Sequence, residues 1–556
     1  MRSIAFPRVS ALIAGLAACA AIAPAAHAAP SPTVPQLKWA DCDDGLQCAT
    51  ASVPLDYSRP NKGSYQVALI KKPATGPGQR LGSLFTNPGG PGGSGVDFVR
   101  ATADSLYGTL SQRYDIVGFD PRGTGHSQAA IDCQANQETE GIYSIPYATP
   151  DSDFDALLAK GRNYVSKCVR LNRPILPYIT TGNVARDLDL LRQAVGDQKL
   201  NYLGFSYGTF LGATYGSLFP GKLGRVVLDG PVDADAYVNH PSADLQAQTG
   251  AFERELDRFF QACAADQENC LGFGGQDPHQ AFDDLVEQAN AHPIPAPRFS
   301  PDPRPVTGDD ILNATISNLY AKQYWVYIAQ DLAEAAAGDG SLVRYDSDAA
   351  FGNNFDGTFD PGNDRYFLIG AADQRYTTNL EHYVELGKAS YDTFDHFWFN
   401  AGYVEGNYGL YKQYGIQSNG RYAGPFRIPG GASTPLVVAT TYDPATPYRG
   451  AKALVKDLGN ARLLTMRGDG HTAYGGNSPC VDSAVETYLF SGTLPAAGTT
   501  CQQDAPFEQP QQDTVADDDA QPLVASKQSA QALGVSAFGD RARVTAQHGK
   551  PLVVAP

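Results

Sequence analysis

Leu200-Asn-Tyr-Leu-Gly-Phe-Ser-Tyr-Gly-Thr-Phe-Leu-Gly-Ala-Thr-Tyr-Gly-Ser-Leu-Phe219 is the stretch of this 556-residue chain on which its fold turns. Its first six residues are a short apolar run bounded by turn-forming residues, which predicts a strand from Leu200 to Phe205. Tyr207 to Phe219 reads as the helix that follows. Between them lies Gly204-Phe205-Ser206-Tyr207-Gly208, a G-x-S-x-G pattern. A serine at so sharp a strand-to-helix turn stands exposed above the strand end, and small flanking residues let the chain bend there without steric conflict. The five residues alone are a weak signal, because glycine and serine are common. The strand before and the helix after are what make Ser206 a candidate nucleophile rather than a buried serine in a glycine-rich strand end.

Working outward, short β-branched or apolar runs alternate with helical patterns between Leu81 and Asp229, as in a mostly parallel sheet. Ser83-Leu-Phe-Thr86, Tyr114-Asp-Ile-Val-Gly-Phe-Asp120 and Arg225-Val-Val-Leu-Asp229 read as strands. Val184, Leu188, Leu191 and Val195 fall at helical spacing, with Thr181 or Asn183 available as the N-cap. From 231 to 430 the alternation stops and helical stretches, loops and aromatics take over; it resumes at Pro435-Leu-Val-Val-Ala-Thr440 and Ala461-Arg-Leu-Leu-Thr-Met466, before a last helix over Val481 to Phe490. The expected architecture is an α/β-hydrolase fold, a mostly parallel sheet with a largely helical cap inserted after the sixth strand. Its core halves are 29–230 and 431–505, the cap is 231–430, and 506–556 is a flexible tail rich in Gln, Asp and Ala.

This fold takes its triad in the order Ser, acid, His. Of nine histidines, His471 alone sits in a glycine-rich loop after a late strand, Gly468-Asp-Gly-His-Thr472. His126 precedes the serine and suits a structural role, while His382 and His396 fall in the cap. Asp443 follows the Pro435–Thr440 strand in Tyr442-Asp-Pro-Ala-Thr-Pro447 and is the expected acid. Asp229 is its competitor, since some hydrolases take the acid from the preceding strand, and Asp469 lies too close to His471 in a tight loop. Asn87-Pro-Gly-Gly-Pro-Gly-Gly-Ser-Gly95 follows the right strand to supply an oxyanion hole, where one donor is typically worth ~10²–10³ in kcat. Gly92 is the expected donor, ahead of Gly90 and Gly93, together with the amide of Tyr207. No Lys-Ser/Thr follows these glycines, which removes a phosphate-binding loop.

A formal net charge of −17 disfavours nucleic acid and anionic membrane surfaces as partners. Arg2 and Arg8, the apolar run from Val9 to Ile22 and Ala26-His27-Ala28 predict a signal peptide over 1–28 and a secreted or periplasmic protein. A bacterial lipobox at Leu16-Ala-Ala-Cys19 is the rival reading, with anchoring through Cys19. No later apolar stretch is long enough to span a membrane. With Cys19 removed, eight of the nine cysteines remain, an even number that favours disulfides in an exported chain. Their order suggests Cys42–Cys48, Cys133–Cys168, Cys263–Cys270 and Cys480–Cys501, although eight cysteines allow 105 pairings. No cysteine or histidine spacing suits zinc, and neither a metal nor an organic cofactor is expected.

The glycine stretch Asn87–Gly95, Asp120-Pro-Arg-Gly-Thr-Gly-His-Ser127, Gly204-Phe-Ser-Tyr-Gly-Thr209 and Asp443-Pro-Ala-Thr-Pro447 together resemble the secreted tripeptidyl aminopeptidases of Streptomyces type. These are relatives of the prolyl aminopeptidases, and mycobacterial carboxylesterase-A-like proteases are similar. The segment from Gly468 to Cys501 resembles that family's C-terminal region, and the likeness runs from about Trp39 to Cys501. It implies a serine exopeptidase that releases short peptides, often tripeptides, from the free N-termini of peptide substrates. An aminopeptidase needs carboxylates to hold the substrate ammonium, and the cap supplies Glu253, Glu255, Asp257, Glu287, Asp309, Asp310 and Glu405, with Glu253 and Glu405 the leading candidates. Trp325, Tyr327, Phe397, Trp398, Tyr403 and Tyr408 are available for a subsite or for packing. A carboxylesterase would use the same triad without an ammonium anchor, and a non-catalytic binding protein of this fold is the remaining alternative.

Overall fold

A computed structural model describes residues 32–509 except 44, 145–146 and 300–302. The expected signal peptide, the lipobox and all of the tail beyond 509 lie outside the described residues. Strands β1 (Ala40–Asp43), β2 (Leu46–Pro54), β3 (Ser64–Lys72), β4 (Ser83–Asn87), β5 (Asp115–Phe119), β6 (Leu200–Phe205), β7 (Leu223–Asp229), β8 (Leu436–Tyr442), β9 (Arg462–Asp469) and β10 (Thr500–Gln502) form one sheet. Its order is β1-β2-β3-β5-β4-β6-β7-β8-β9-β10. The first three neighbour pairs are antiparallel and every pair from β5–β4 to β9–β10 is parallel. This is the mostly parallel sheet of an α/β-hydrolase. Counted in chain order, the cap leaves after the seventh strand and not the sixth, because three strands precede Ser83, one of them the exposed four-residue edge strand β1.

The central strands are apolar throughout because both faces of the sheet are covered. Alternate residues serve opposite cores: Phe85, Tyr202, Leu228 and Val437 face one side, while Leu84, Leu203, Val227 and Val438 face the other. Helices α1 (Gly95–Thr102), α2 (Phe154–Asn172), α3 (Thr181–Ala194) and α4 (Tyr207–Leu218) punctuate the N-terminal half. The nine helices described between β7 and β8 are α5 (Ala234–Asn239), α6 (Pro241–Ala265), α7 (Pro278–Ala291), α8 (Gly308–Asn318), α9 (Trp325–Ala336), α10 (Ser341–Ala350), α11 (Gly362–Asp373), α12 (Leu380–Tyr391) and α13 (Gly406–Gln413). Helices α14 (Tyr448–Leu458) and α15 (Pro479–Ser491) complete the core. Helices α3, α4 and α14 cover one face, and α1 and α15 the other. The cap has a core of its own, built on Phe252, Leu256, Phe259, Phe282, Trp325 and Leu332.

All four cysteine pairs suggested by chain order are disulfides: Cys42–Cys48, Cys133–Cys168, Cys263–Cys270 and Cys480–Cys501. The segment just after β10 is not the loose tail that its composition predicts. The Gln503 amide bridges the backbone of Asp469, the Phe507 ring packs against Phe259 and Trp325, and Gln509 bonds to Asn269. The Gln503 amide ties the segment to β9, and Phe507 and Gln509 tie it to the cap, contacts that its few apolar residues do not advertise.

The Asp120–Ser127 motif works as a staple. Asp120, fully buried, accepts from Ser94 Oγ and from the Val96 and His126 amides, which locks β5 to the start of α1. Arg122 makes a two-pronged pair with Asp187 of α3, at 2.6 and 2.7 Å, and donates to the carbonyls of Pro54 and Leu55 at the end of β2. Both ionic side chains are out of solvent, with Arg122 at 0% and Asp187 at 2% exposure. Removing one partner of such a pair strands the other charge, so Arg122→Met lowers the unfolding free energy by about 3–5 kcal/mol. Denaturant titration measures it, and a loss below about 1 kcal/mol would reduce the staple to the rank of a surface pair.

Candidate active site

Ser206 sits between β6 and α4 with φ 55° and ψ −127°, a conformation that costs a non-glycine residue energy and that only surrounding contacts can hold. Those contacts are specific. The Ser206 amide donates to the Asp229 carbonyl at 2.9 Å, and its carbonyl accepts from the Thr209 amide and hydroxyl. The flanking glycines are required by close approach: a β-carbon on Gly204 would lie 2.6 Å from the Gly208 carbonyl, and one on Gly208 would lie 2.6 Å from that of Asn87.

His471 lies two residues beyond β9, and Asp443 directly follows β8. His471 Nδ1 is 2.9 and 3.0 Å from the two carboxylate oxygens of Asp443. Asp443 also accepts from the amides of Ala445 and Thr446 and from the Thr446 hydroxyl, so the turn that follows the strand orients it. Both residues are buried. His471 Nε2 is buried with no hydrogen-bond partner among the described residues. The imidazole rests on Gly230, whose hypothetical β-carbon would fall 2.8 Å from Cε1. The peptide joining Asp229 to Gly230 therefore has the nucleophile candidate bonded to it and the imidazole packed on it.

The competing acids do other work. Asp229 accepts from the Ala473 and Tyr474 amides and makes no hydrogen bond to His471 among the described residues. Burial pushes its carboxyl up to about 7, against the pull of those two amides. Asp469 points away into the cap, pairing with Arg258 and, at 2.9 Å, with Lys322.

The glycine loop lies against the elbow, but in a different register from the one expected. A β-carbon on Gly89 would fall 2.7 Å from the Phe205 carbonyl and 2.8 Å from Ser206 Cβ. The Gly89 amide is taken by Asn87 Oδ1, and the Gly93 amide by the Gly89 carbonyl. Gly90 lines a cavity together with Ser206 and Tyr207. Gly92 instead abuts the cap, where a β-carbon would meet Arg365 Cβ at 2.4 Å. Sequence spacing could not separate these glycines, because the direction of each amide depends on turns inside the loop.

That cavity, about 280 Å³, is roofed by the cap and lined by aromatic residues, Tyr143, Tyr237, Tyr320, Tyr366, Tyr376 and Tyr408 among them. None of the seven cap carboxylates singled out from sequence lines it. Glu253 is held by His396 and the Phe397 amide. Glu405, wholly buried, accepts from Ser242 Oγ and the Gly402 amide, and burial pushes it up to about 7. Glu255 is equally buried and accepts from the Gly470 amide. Asp310 bonds within the cap, to the Thr307 amide and Arg344, Asp309 accepts from the Tyr147 amide ahead of α2, and Asp257 and Glu287 are exposed. The carboxylates that do line the cavity are Asp233 and Asp244, which the sequence reading missed. Their nearness to the C-terminal end of β7 was the available signal, since sites in parallel sheets gather at that edge. Of the aromatics named above from sequence, Tyr408 lines the cavity, whereas Trp325 and Phe397 belong to the cap core.

His396 is the hub of a separate ion-pair cluster, with Nδ1 2.8 Å from Glu253 and Nε2 3.0 Å from Asp283. Burial alone would lower its pKa, but hydrogen bonds and charge from both carboxylates raise it from 6.5 to about 9. A raised folded-state value stabilises the fold fully below the unfolded value and ceases to do so as pH rises through the folded one. The Tm gap between wild type and His396→Gln is therefore widest below pH 6.5 and closes above pH 9. A gap independent of pH would show the imidazole to act through packing alone.

Residues 417–501, which carry β8, Asp443, β9 and His471, match the family model described as TAP-like protein. "Serine protease Hip1" of Mycobacterium tuberculosis is 31% identical over 467 residues, spanning 82% of this chain and 87% of that one. "Carboxylesterase B" of the same species is 33% identical over 488 residues, with 84% and 90% covered. "Tripeptidyl aminopeptidase" of Streptomyces coelicolor is 32% identical over 492 residues, with 84% and 86% covered. Similarity of this extent takes in both halves of the sheet and the cap between them, and so the chain belongs to the tripeptidyl aminopeptidase family of α/β-hydrolase-fold serine hydrolases.

Proposed function

We propose that this serine hydrolase is an exported exopeptidase that cleaves short peptides, tripeptides in the main, from free N-termini. The observation that carries the reading is a carboxylate inside the cavity beside Ser206. Asp244, in the first turn of α6, lines that space with no side-chain hydrogen bond or ion pair among the described residues. Asp233, by contrast, caps α5 through the Ala236 amide. Burial pushes Asp244 up to about 7, with Asp233 adding to the effect and Arg449 opposing it. A substrate ammonium would supply the positive partner that Asp244 lacks. Export draws support from the four disulfides, which suit an oxidising compartment, and from the N-terminal pattern over 1–28.

In the mechanism we infer, His471 Nε2 takes the Ser206 hydroxyl proton as Oγ attacks the scissile carbonyl. Asp443 holds Nδ1–H and stabilises the imidazolium that forms. The amides of Gly90 and Tyr207 receive the developing oxyanion, Gly90 taking the place expected of Gly92. His471 then gives its proton to the leaving amine, the acyl-enzyme remains on Ser206, and water activated by His471 releases the peptide. The esterase reading draws on the relative named carboxylesterase B and on the aromatic lining of the cavity.

Ser206→Ala lowers kcat by a factor on the order of 10⁴ or more with the fold intact, and a serine-reactive phosphonate labels Ser206 in the wild type. Labelling elsewhere, or near-full activity of the variant, would refute the nucleophile. Asp244→Asn raises KM about tenfold or more for tripeptidyl substrates with a free amine, and leaves turnover of amino-blocked peptides and simple esters within about twofold. An equal effect on free and blocked substrates would remove the ammonium anchor and favour the esterase.

A further inference from the structure

The loop that bears His471 is gripped from two sides. Beyond the histidine, the amides of Ala473 and Tyr474 are held by Asp229 of the sheet. Up to the histidine the grip comes from the cap. Asp469 pairs with Arg258 of α6 and with Lys322, and Arg258 also lies 3.7 Å above the ring of Tyr442, next to Asp443. The His471 amide donates to the Tyr320 carbonyl at 2.6 Å. Between these two, the Gly470 amide donates to Glu255 Oε1 at 2.8 Å.

Glu255 differs from the other contacts. It is fully buried on α6, one turn before Arg258, and its Oε2 has no hydrogen-bond partner among the described residues. Burial, followed by the charge of Asp469, raises its pKa well above the ordinary carboxylate range. Gly470 itself has φ +85°, and the position of its missing β-carbon is 3.1–3.2 Å from Lys322 N, Ala321 Cα and the Tyr320 carbonyl. The loop backbone thus lies flat on the cap, and Glu255 is the side chain that satisfies its buried amide. A lid that only covered the cavity would not need this contact.

We propose that Glu255 is a positioning residue for His471, acting through the Gly470 amide to hold the imidazole in register with Asp443. The inference rests on the reading of His471 as the general base. It makes the α6 part of the cap a fixed component of the catalytic machinery, so that any opening of the cavity takes place elsewhere in the cap.

The test uses the whole 556-residue protein and a small chromogenic ester, which needs no peptide subsite. Glu255→Ala lowers kcat about tenfold to a hundredfold with KM within about threefold, the loss expected when a buried amide is left unpaired beside a group that must be held in place. Glu255→Gln keeps an acceptor at the Oε1 position and recovers most of that activity. In Glu255→Ala the acid limb of the kcat/KM profile also moves to lower pH, because an imidazole held less firmly to Asp443 is less basic. A purely structural role would scale the profile without moving it. Wild-type kcat in Glu255→Ala, a Gln variant as impaired as the Ala variant, or an unmoved acid limb would each overturn the proposal. Phosphonate labelling of Ser206 in the wild type is the separate check: its absence would bring down the underlying hydrolase site, while its presence beside a silent Glu255→Ala would bring down this inference alone.

Discussion

Asp229 is the residue on which the geometry of the site depends. Its carbonyl receives the amide of Ser206, which helps hold the nucleophile candidate in its strained turn. Its side chain receives the amides of Ala473 and Tyr474, which fixes the chain just past His471. One buried residue at the end of β7 thereby ties the end of β6 to the loop after β9, and the imidazole packs on the glycine that follows it. Distances between catalytic groups must hold to fractions of an ångström, and a parallel sheet offers only strand ends as fixed points. Joining two such ends through a residue on a strand between them is a stiff solution.

Acidity is spent in the same way across the site. The chain carries a net charge of −17, yet its buried carboxylates mostly serve backbone amides: Asp120 at α1, Asp443 in its own turn, Glu405 at Gly402 and Glu255 at Gly470. A carboxylate that accepts from backbone donors orders a loop without needing a cation nearby. Asp244 lacks such a donor and faces the cavity, which sets it apart from the seven cap acids that the family resemblance brought forward.

The part of the cap from α6 to α9 has its own apolar core and the Cys263–Cys270 disulfide, whereas Phe367, Tyr408 and Leu410 of α11 and α13 join the apolar core on the α3/α4 face of the sheet. Arg258, Lys322 and Gln503 converge on Asp469 from the cap and from the segment after β10. The Phe507 ring extends the same junction by packing onto Phe259 and Trp325. Segments far apart in sequence thus meet at the loop that holds His471, which gives the molecule one stiff corner next to a tyrosine-lined cavity.

Sequence alone determined the features that local chemistry dictates. The apolar runs of β4, β6, β7, β8 and β9, the turn at Ser206 with its two glycines, and the order of serine, aspartate and histidine along the chain are all written in short windows. Disulfide partners close in sequence were legible for the same reason, since short loops leave few alternatives. Tertiary structure decided whatever depends on direction. It selected Asp443 over Asp229 at His471 Nδ1, put Gly90 and not Gly92 beside Ser206, and turned Asp244 into the cavity while Glu253 and Glu405 found partners elsewhere. A strand's face alternates with every residue, and a loop or helix start can aim its side chains many ways. Which carboxylate meets a ligand and which meets an amide is therefore settled only when the elements pack.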